Sequence, residues 1–223
     1  MKLFSAILQI SCFVLPWSIR RFFLISFLGF NLHKKSKIGF SIVLANKVIL
    51  KKGAKIQNAN FINKIDEIAL DSYSKIGNYN WITGANTNTS AYKATPNREC
   101  VFRLGQQTRI TDRHHFDCNG GILIGSFTTI AGLRSQFISH GINLITNQQE
   151  AYAIKIGNYC MVGSGVKVLM SSILPDNSVL GAGALLNKGY AEPYSIYAGV
   201  PAKMVKKLPS DAKYFHRSEG SVK

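Results

Sequence analysis

The amino-acid sequence predicts an all-β fold, a parallel β-helix with triangular coils, together with a short apolar helical segment at its start and a short C-terminal tail. Three observations lead to this prediction. Aliphatic residues recur every six positions, a glycine often follows the aliphatic residue, and a small residue often stands four positions after it. The period runs through Ile38, Leu44, Leu50, Ile56, Ile62 and Ile68, and again through Ile156, Val162, Val168, Leu174, Leu180 and Leu186.

A period of six fits neither an amphipathic helix nor a meander of hairpins. In a triangular coil, the bulky side chain fills the interior and the small residue occupies the corner. Three six-residue steps make a coil of about 18 residues, and coils stack at the strand spacing of about 4.8 Å. Because a single coil cannot bury its own apolar face, stacking of neighbours is what stabilises the fold. The corner positions are small at Ala54, Ser72, Thr108, Thr128, Cys160, Ser172, Ser178 and Ala184.

Residues 1–35 differ in kind from the rest of the chain. Leu3 to Trp17 is almost continuously apolar, Arg20 and Arg21 interrupt it, and Phe22 to Phe30 resumes it. A signal peptide is disfavoured because no small-x-small cleavage site is present. A spanning helix needs about 20 apolar residues, which neither half reaches. We expect two short amphipathic segments lying on the cytoplasmic leaflet of a membrane, with packing on the domain itself as the alternative.

The composition limits the partners and the compartment. Lys and Arg number 27 and Asp and Glu 11, so the net charge of +16 favours anionic partners. Residues 1–37 contain six of these cations and no acidic residue. A nucleic-acid motif is absent from the sequence. The four cysteines show no metal-binding or disulfide spacing, which favours free thiols in a reducing cytosol.

The sixfold period breaks twice, between Trp81 and Leu104 and between Ile130 and Ile156. Functional residues of solenoid proteins tend to lie in such irregular coils. The second break contains His140. A further polar cluster, ITDRHHFDCNGG, occupies residues 110–121 between the two breaks.

The repeat over residues 36–206 resembles the hexapeptide-repeat acyltransferases, most specifically in the stretch from Ile154 to Leu208 with its GSG, GAG and VPAK elements. Within that family, the sequence is most similar to the O-acetyltransferases of surface polysaccharides and to the maltose, galactoside and xenobiotic acetyltransferases. The resemblance implies a left-handed β-helix, acetyl-CoA or another acyl-CoA as co-substrate, and a homotrimer with donor sites between subunits. The implied acceptor is a sugar or a lipid-linked glycan.

The resemblance also implies a catalytic role for His140, as the general base that takes the proton of the acceptor hydroxyl. A neutral imidazole is available for this at pH 7. We expect His115, Asp117 and Asn119 to bind the acceptor, and His115 or Asp117 could instead orient His140. Stabilisation of a corner turn is the alternative for Asp117 and Asn119. A metal is not expected, because adjacent His114 and His115 would point to opposite sides of a strand.

For the acyl donor, the resemblance implies that Ser164 and Ala182 line the pantetheine groove. Asn187 and Lys188 occupy a step that is usually Thr-Lys, and Lys203 would meet a CoA phosphate, to which an ammonium group is suited. The alternative is that these are corner residues and solvated surface lysines. The sequence departs from many relatives in Met161, where they carry Trp, and in Asn187, where they carry Thr.

The sequence thus predicts three segments: a membrane-associating segment over residues 1–35, the acyltransferase β-helix over 36–206 and a tail over 207–223. The expected function is acetyl transfer to a sugar hydroxyl of a bacterial surface polysaccharide or of its lipid-linked precursor, by direct attack on the thioester. The expected location is the inner face of the cytoplasmic membrane, as a peripheral protein. An acetyltransferase for a small soluble acceptor and a non-catalytic scaffold subunit are the alternatives.

Overall fold

The computed structural model describes residues 2–222 and confirms the predicted fold class, a left-handed parallel β-helix with three faces. Strands are numbered β1 to β25 along the chain. The first face contains, in spatial order, β1 (Asn31–Leu32), β4 (Lys47–Leu50), β7 (Glu67–Leu70), β10 (Val101–Leu104), β13 (Ile122–Ile124), β18 (Ile154–Ile156) and β21 (Ile173–Leu174).

The second and third faces complete each coil. The second contains β2 (Lys37–Ile38), β5 (Lys55–Ile56), β8 (Lys75–Ile76), β11 (Arg109–Ile110), β14 (Thr129–Ile130), β19 (Met161–Val162), β22 (Val179–Leu180), β24 (Ser195–Gly199) and β25 (Ala202–Lys207). The third contains β3 (Ile42–Leu44), β6 (Phe61–Asn63), β9 (Trp81–Thr83), β12 (His115–Asp117), β15 (Gln136–Ile138), β20 (Lys167–Leu169) and β23 (Leu185–Leu186). An antiparallel hairpin, β16 (His140–Asn143) and β17 (Gln148–Ala151), stands outside the faces.

The aliphatic residues of the sixfold period form the core. All six residues of the run from Ile156 to Leu186 are buried, as are five of the six in the run from Ile38 to Ile68. Leu44 is the exception, because it is only half-buried while Val43 points inward. The strand pairing explains the shift, since Val43 lies beside Ile62 at a separation of 19 residues and not 18.

The number of residues per coil varies along the axis, and the two longest coils carry insertions at the same corner. Coils near the C-terminus have the predicted 18 residues, as in the pairing of Val162 with Leu180, but the pairing of Ile56 with Ile76 spans 20. Two coils are much longer, because they carry a loop over residues 84–100 and the β16–β17 hairpin. These two insertions account for the two breaks in the period.

The N-terminal segment packs on the β-helix, which is the alternative that the sequence left open. It consists of α1 (Lys2–Ser11), a 3₁₀ turn (Cys12–Val14) and α2 (Trp17–Leu28). α1 packs against β3 and α2 against β1, so the helices cover the open edge of the first coil. None of the helices formed by residues 2–222 has the length and apolar character needed to cross a bilayer.

The C-terminal tail runs back along the outside of the coils. The Tyr214 hydroxyl donates a hydrogen bond to the Cys160 carbonyl over 3.0 Å, and the Gly220 amide donates to Gln107 Oε1 over 3.1 Å. The tail therefore ties a C-terminal coil to one near the middle of the prism. The first paired strand begins at Asn31, ahead of the predicted boundary at residue 36, and the last ends at Lys207.

A ladder of buried polar side chains runs through one corner of the prism. The Asn60 side-chain oxygen accepts the Asn80 amide over 2.9 Å, and the Asn80 oxygen accepts the His114 amide over 2.9 Å. In turn, His114 Nδ1 accepts the Ser135 amide over 3.2 Å, while Nε2 lies 2.9 Å from the Thr111 hydroxyl. Burial lowers the pKa of His114 to about 4. The ring is therefore held neutral, as its acceptor role at Nδ1 requires.

His114 is expected to make the fold less stable in acid. Its pKa is about 4 when folded and about 6.5 when unfolded, so between these values the unfolded chain binds more protons. Stability should therefore fall by up to about 1.4 kcal/mol per pH unit as the pH drops from 6.5 towards 4. His114→Asn, which extends the Asn60 and Asn80 ladder, should flatten this slope in urea unfolding at pH 7, 6 and 5. Equal slopes for the two proteins would contradict the assignment.

Candidate active site

Two insertions bring the candidate site together at the corner between the third and first faces. Three successive coils meet at this corner. The first carries the loop over residues 84–100, the second has only the short turn 118–121, and the third carries the hairpin. Asp117 ends β12 and pairs in register with Ile138 of β15. His140 follows Ile138 by two residues and opens the hairpin. The register therefore places Asp117 directly beside the start of the hairpin.

His140 and Asp117 form a hydrogen-bonded pair. His140 Nδ1 lies 3.1 Å from Asp117 Oδ2, and 34% of the His140 side chain is exposed. A proton on Nδ1, donated to the carboxylate, leaves the lone pair on Nε2 free to accept a proton. The hydrogen bond that His140 donates to Asp117 raises the pKa of His140, against the opposing effect of burial. Burial acts to raise the pKa of Asp117, but hydrogen bonds from His140 and Asn119 outweigh it and the pKa is lowered.

Asn119 holds the carboxylate in place. Its side-chain nitrogen donates to both carboxylate oxygens of Asp117, over 2.8 and 3.0 Å, and its side-chain oxygen accepts the Ala85 amide over 2.7 Å. The same nitrogen is 3.4 Å from His140 Nδ1. Asn119 therefore lies between the histidine, the carboxylate and the inserted loop. Its contacts extend beyond those of a residue that only stabilises a corner turn.

Two residues of the inserted loop support the pair and were not identified from the sequence. Arg98 is buried and donates to the backbone oxygens of Asn119 and Asn86, each over 2.8 Å. Its guanidinium lies 4.4 Å from the centroid of the Tyr92 ring, whose edge faces the His140 ring at 6.2 Å. Contacts of an arginine with backbone carbonyls have no sequence signature, so only the fold reveals this role.

His115 lies apart from the His140–Asp117 pair. It is exposed on the outer surface of β12, where it pairs with Trp81 and Gln136. Among residues 2–222 it has no hydrogen bond or ion pair with His140. Of the two residues that the sequence offered for orienting His140, the geometry thus places Asp117 in contact and His115 at a distance.

A groove lies on the first face at the same corner, and its lining includes Gly120 and Ala151 but neither His140 nor Asp117. Its volume is about 530 Å³, and the two insertions form opposite walls, with Thr95 and Arg98 on one side and Tyr152 on the other. Gly120 forms part of the floor, where a Cβ atom would lie 2.4 Å from the Tyr152 amide nitrogen. A residue larger than glycine would therefore displace the hairpin at this point.

The residues expected to meet the acyl donor occupy a different corner, between the second and third faces. Ser164 and Ala182 are exposed there in consecutive coils, and the Gly183 amide donates to the Ser164 carbonyl over 2.9 Å. A Cβ atom at Gly163 would lie 2.6 Å from the Ala182 nitrogen, so the backbones approach closely. Lys203 is exposed in β25 at the same end of the prism.

Asn187 and Lys188 follow β23 on the third face. The register places Asn187 in one outward column with Leu169, Ile138 and Asp117, and both residues are exposed. The Lys188 ammonium lies 5.2 Å from the centroid of the Tyr190 ring. The expected donor residues therefore lie at both edges of the third face and not in one cluster. Met161 is exposed in β19 of the second face.

The titratable side chains provide no obvious metal site. Within residues 2–222, no three His, Cys, Asp or Glu side chains are grouped so that they could hold a metal ion. All four cysteines are buried free thiols. Burial raises the pKa of Cys160 to about 12, so its thiolate is not available near neutral pH.

Comparison with known proteins places the chain among acetyltransferases. No protein-family model matches it. It is 32% identical over 125 residues to a probable macrolide acetyltransferase of Lysinibacillus sphaericus, covering 45% of this chain and 68% of that protein. It is 30% identical over 75 residues to the galactoside O-acetyltransferase of Escherichia coli (strain K12), covering 34% of this chain and 36% of the relative.

A solved structure supports the fold independently. LpxA from Acinetobacter baumannii superposes with a TM-score of 0.51 over 80% of this chain and 70% of its own, at 13% sequence identity. At that identity the likeness concerns the fold alone. Taken together, the triangular coils, the sixfold repeat and the match to most of an acetyltransferase show that the chain belongs to the hexapeptide-repeat acyltransferase family.

Proposed function

We propose that the protein transfers an acetyl group from acetyl-CoA to a hydroxyl of a sugar. In this mechanism His140 Nε2 accepts the proton of the acceptor hydroxyl as its oxygen attacks the thioester carbonyl. The tetrahedral intermediate then collapses, the carbon–sulfur bond breaks, and the CoA thiolate takes the proton back from His140. The observation that carries the proposal is the His140–Asp117 hydrogen bond, which leaves His140 Nε2 to accept a proton.

The carboxylate of Asp117 serves two purposes in this scheme. It fixes the ring with Nε2 as the acceptor, and it stabilises the imidazolium that forms during attack. The Asn119 side chain donates a hydrogen bond to this carboxylate, and Arg98 in turn donates to the Asn119 backbone carbonyl. Backbone N–H groups near the corner are candidates for stabilising the oxyanion.

The donor corner and the His140 corner are separated by the width of the third face. A homotrimer would resolve this separation, because the donor corner of one subunit can lie against the His140 corner of its neighbour. In that arrangement Ser164 and Ala182 would border the pantetheine, and Lys203 would meet a CoA phosphate. Glycines at the donor corner allow the close approach that such a ligand needs.

The acceptor that we favour is a sugar of a surface polysaccharide or of its lipid-linked precursor. Support comes from the galactoside O-acetyltransferase, whose name describes transfer to a hydroxyl of a sugar derivative, and from the groove that Arg98, Gly120 and Ala151 line at the same corner. A small soluble acceptor is the second candidate, because the relative matched over the larger share of its length is a probable macrolide acetyltransferase.

The test is an assay of CoA thiol release with purified protein and acetyl-CoA. We expect release to depend on added glycan, and the product to gain the mass of one acetyl group per modified sugar. Glycan from cells lacking the gene should lose that mass. Glycan-independent release with acetylation of a macrolide would favour the second candidate, and no transfer to any acceptor would indicate a non-catalytic scaffold.

A further inference from the structure

The N-terminal cap, residues 2–28, is built with its polar side chains inward. Gln9 is buried, and its amide donates to the Val43 carbonyl and accepts the Val43 N–H, each over 2.9 Å. Arg20 is buried and donates to the Gly39 carbonyl over 2.7 Å. β3 is the edge strand of the third face. These two side chains therefore satisfy backbone groups that the first coil would otherwise leave unpaired.

The opposite surface of the cap is apolar and open to solvent. Its large side chains are between 43% and 88% exposed, and they come from both helices and from the turn between them. The residues concerned are Leu3, Phe4, Ile7, Ile10, Val14, Ile19, Phe22 and Phe27. Part of the apolar surface of the cap, including Leu24, packs on the core, but these eight side chains leave a second apolar surface without a partner in the described chain.

The coils next to the cap are strongly basic. Residues 1–65 contain eleven Lys and Arg and no Asp or Glu. Lys37, Lys55, Lys75 and Arg109 stand side by side in register on the second face, beginning at the capped end. Lys37 has no ion pair within residues 2–222, whereas Lys55, Lys75 and Arg109 line a cavity together with Glu219 of the tail. Like charges on adjacent strands repel one another, and an anionic partner would remove that cost.

We propose that the cap docks on an anionic membrane surface. Its outward Phe, Leu and Ile side chains would enter the interface between headgroups and acyl chains, and the lysines behind them would meet lipid phosphates. A second copy of the chain is a poorer partner for this surface, because it would bring two basic ends together. The membrane supplies apolar contact and opposite charge at the same place.

The docking surface is connected to the candidate site. The Lys2 ammonium donates to the Asn86 side chain over 3.1 Å, and Arg98 joins the Asn86 backbone to Asn119. β12 is the fourth strand from the capped edge of the third face, so Asp117 lies about 14 Å along the axis from the first coil. A lipid-linked sugar acceptor, which rests on the function proposed above, would then extend about 14 Å from the membrane surface to reach Asp117 and His140.

Vesicle flotation of the full chain tests the docking without any substrate. We expect the protein to float with vesicles of phosphatidylcholine and phosphatidylglycerol at 7:3 in low salt. Binding to pure phosphatidylcholine should be at least tenfold weaker, and 0.5 M salt should weaken binding to the anionic vesicles. Equal binding to both vesicle types, or no binding to either, would overturn the proposal. An enzyme that acetylates without floating would refute docking and leave the proposed reaction standing.

Paired variants locate the surface. Phe4→Ser combined with Phe22→Ser should reduce flotation at least tenfold while circular dichroism and thermal unfolding remain close to wild type. Val205→Ser is the matched control, because Val205 is 61% exposed in β25 at the opposite end of the prism, and it should float normally. Flotation of the double variant at the wild-type level would refute the cap as the docking surface. The proposal would also be refuted if the wild type fails to bind vesicles and the double variant changes its oligomeric state, because the cap would then be a contact between copies of the chain.

Discussion

Replacing His140 with alanine should lower kcat by about 10²- to 10⁴-fold, the usual contribution of a general base. The reason is chemical: an acceptor hydroxyl is a poor nucleophile until a base removes its proton, and His140 Nε2 is the group that the geometry leaves free to do so. Because His140 lies at the base of an external hairpin and is partly exposed, its removal should leave the coils intact. The measurement is CoA thiol release at saturating acetyl-CoA and acceptor.

A second histidine variant provides the control. His216 is exposed in the tail, where its ring contacts only the Ser210 carbonyl in the residues described. His216→Ala should retain wild-type turnover and unfold at the wild-type temperature. If His140→Ala keeps more than a third of the wild-type kcat, His140 is a surface loop residue and the proposed mechanism is wrong.

The fold could be predicted because a regular repeat encodes it. The sixfold period fixes which side chain points inward, and each of the residues from Ile156 to Leu186 in that frame is buried as the period requires. The phase at Leu44 was predicted wrongly, because the corner after Ile38 is one residue shorter than the period requires, so Val43 points inward. Corner length is set by local turn geometry, which aliphatic spacing does not record.

The site was only partly predictable. The interruption of the period indicated His140, and counting back one coil brought Asp117 and Asn119 towards it. In the folded chain, Asp117 Oδ2 lies 3.1 Å from His140 Nδ1, and Asn119 donates to Asp117. The same count could not separate Asp117 from His115, since both point outward from one strand. Arg98 acts through backbone carbonyls of residues distant in sequence, and only the closed corner brings them together.

The composition of the N-terminal cap does not determine which of its side chains face the domain and which face solvent. An apolar leader with interspersed cations is compatible with packing on the domain and with membrane contact. In the folded chain Gln9 and Arg20 face the first coil, while large apolar side chains of the same segment face solvent. The assignment of each side chain to one surface required the helices to be placed against the strand edge.

Replacing Asp117 with asparagine should shift the pH dependence of the reaction as well as its rate. His140 is an active base only when neutral, so kcat/KM should rise with pH through its pKa, which the hydrogen bond to Asp117 raises above the ordinary value. The variant keeps the shape of the side chain but removes the charge, so this rise should move to lower pH. The limiting rate should also fall, by between about tenfold and 10⁴-fold, because the asparagine no longer fixes the ring tautomer or stabilises the imidazolium.

Asp176→Asn, which alters a corner carboxylate that contacts Asn158 and not His140, should change neither the rate nor the profile. A slower Asp117→Asn enzyme with an unmoved pH profile would mean that the carboxylate only supports the corner, and that His140 takes its proton without it.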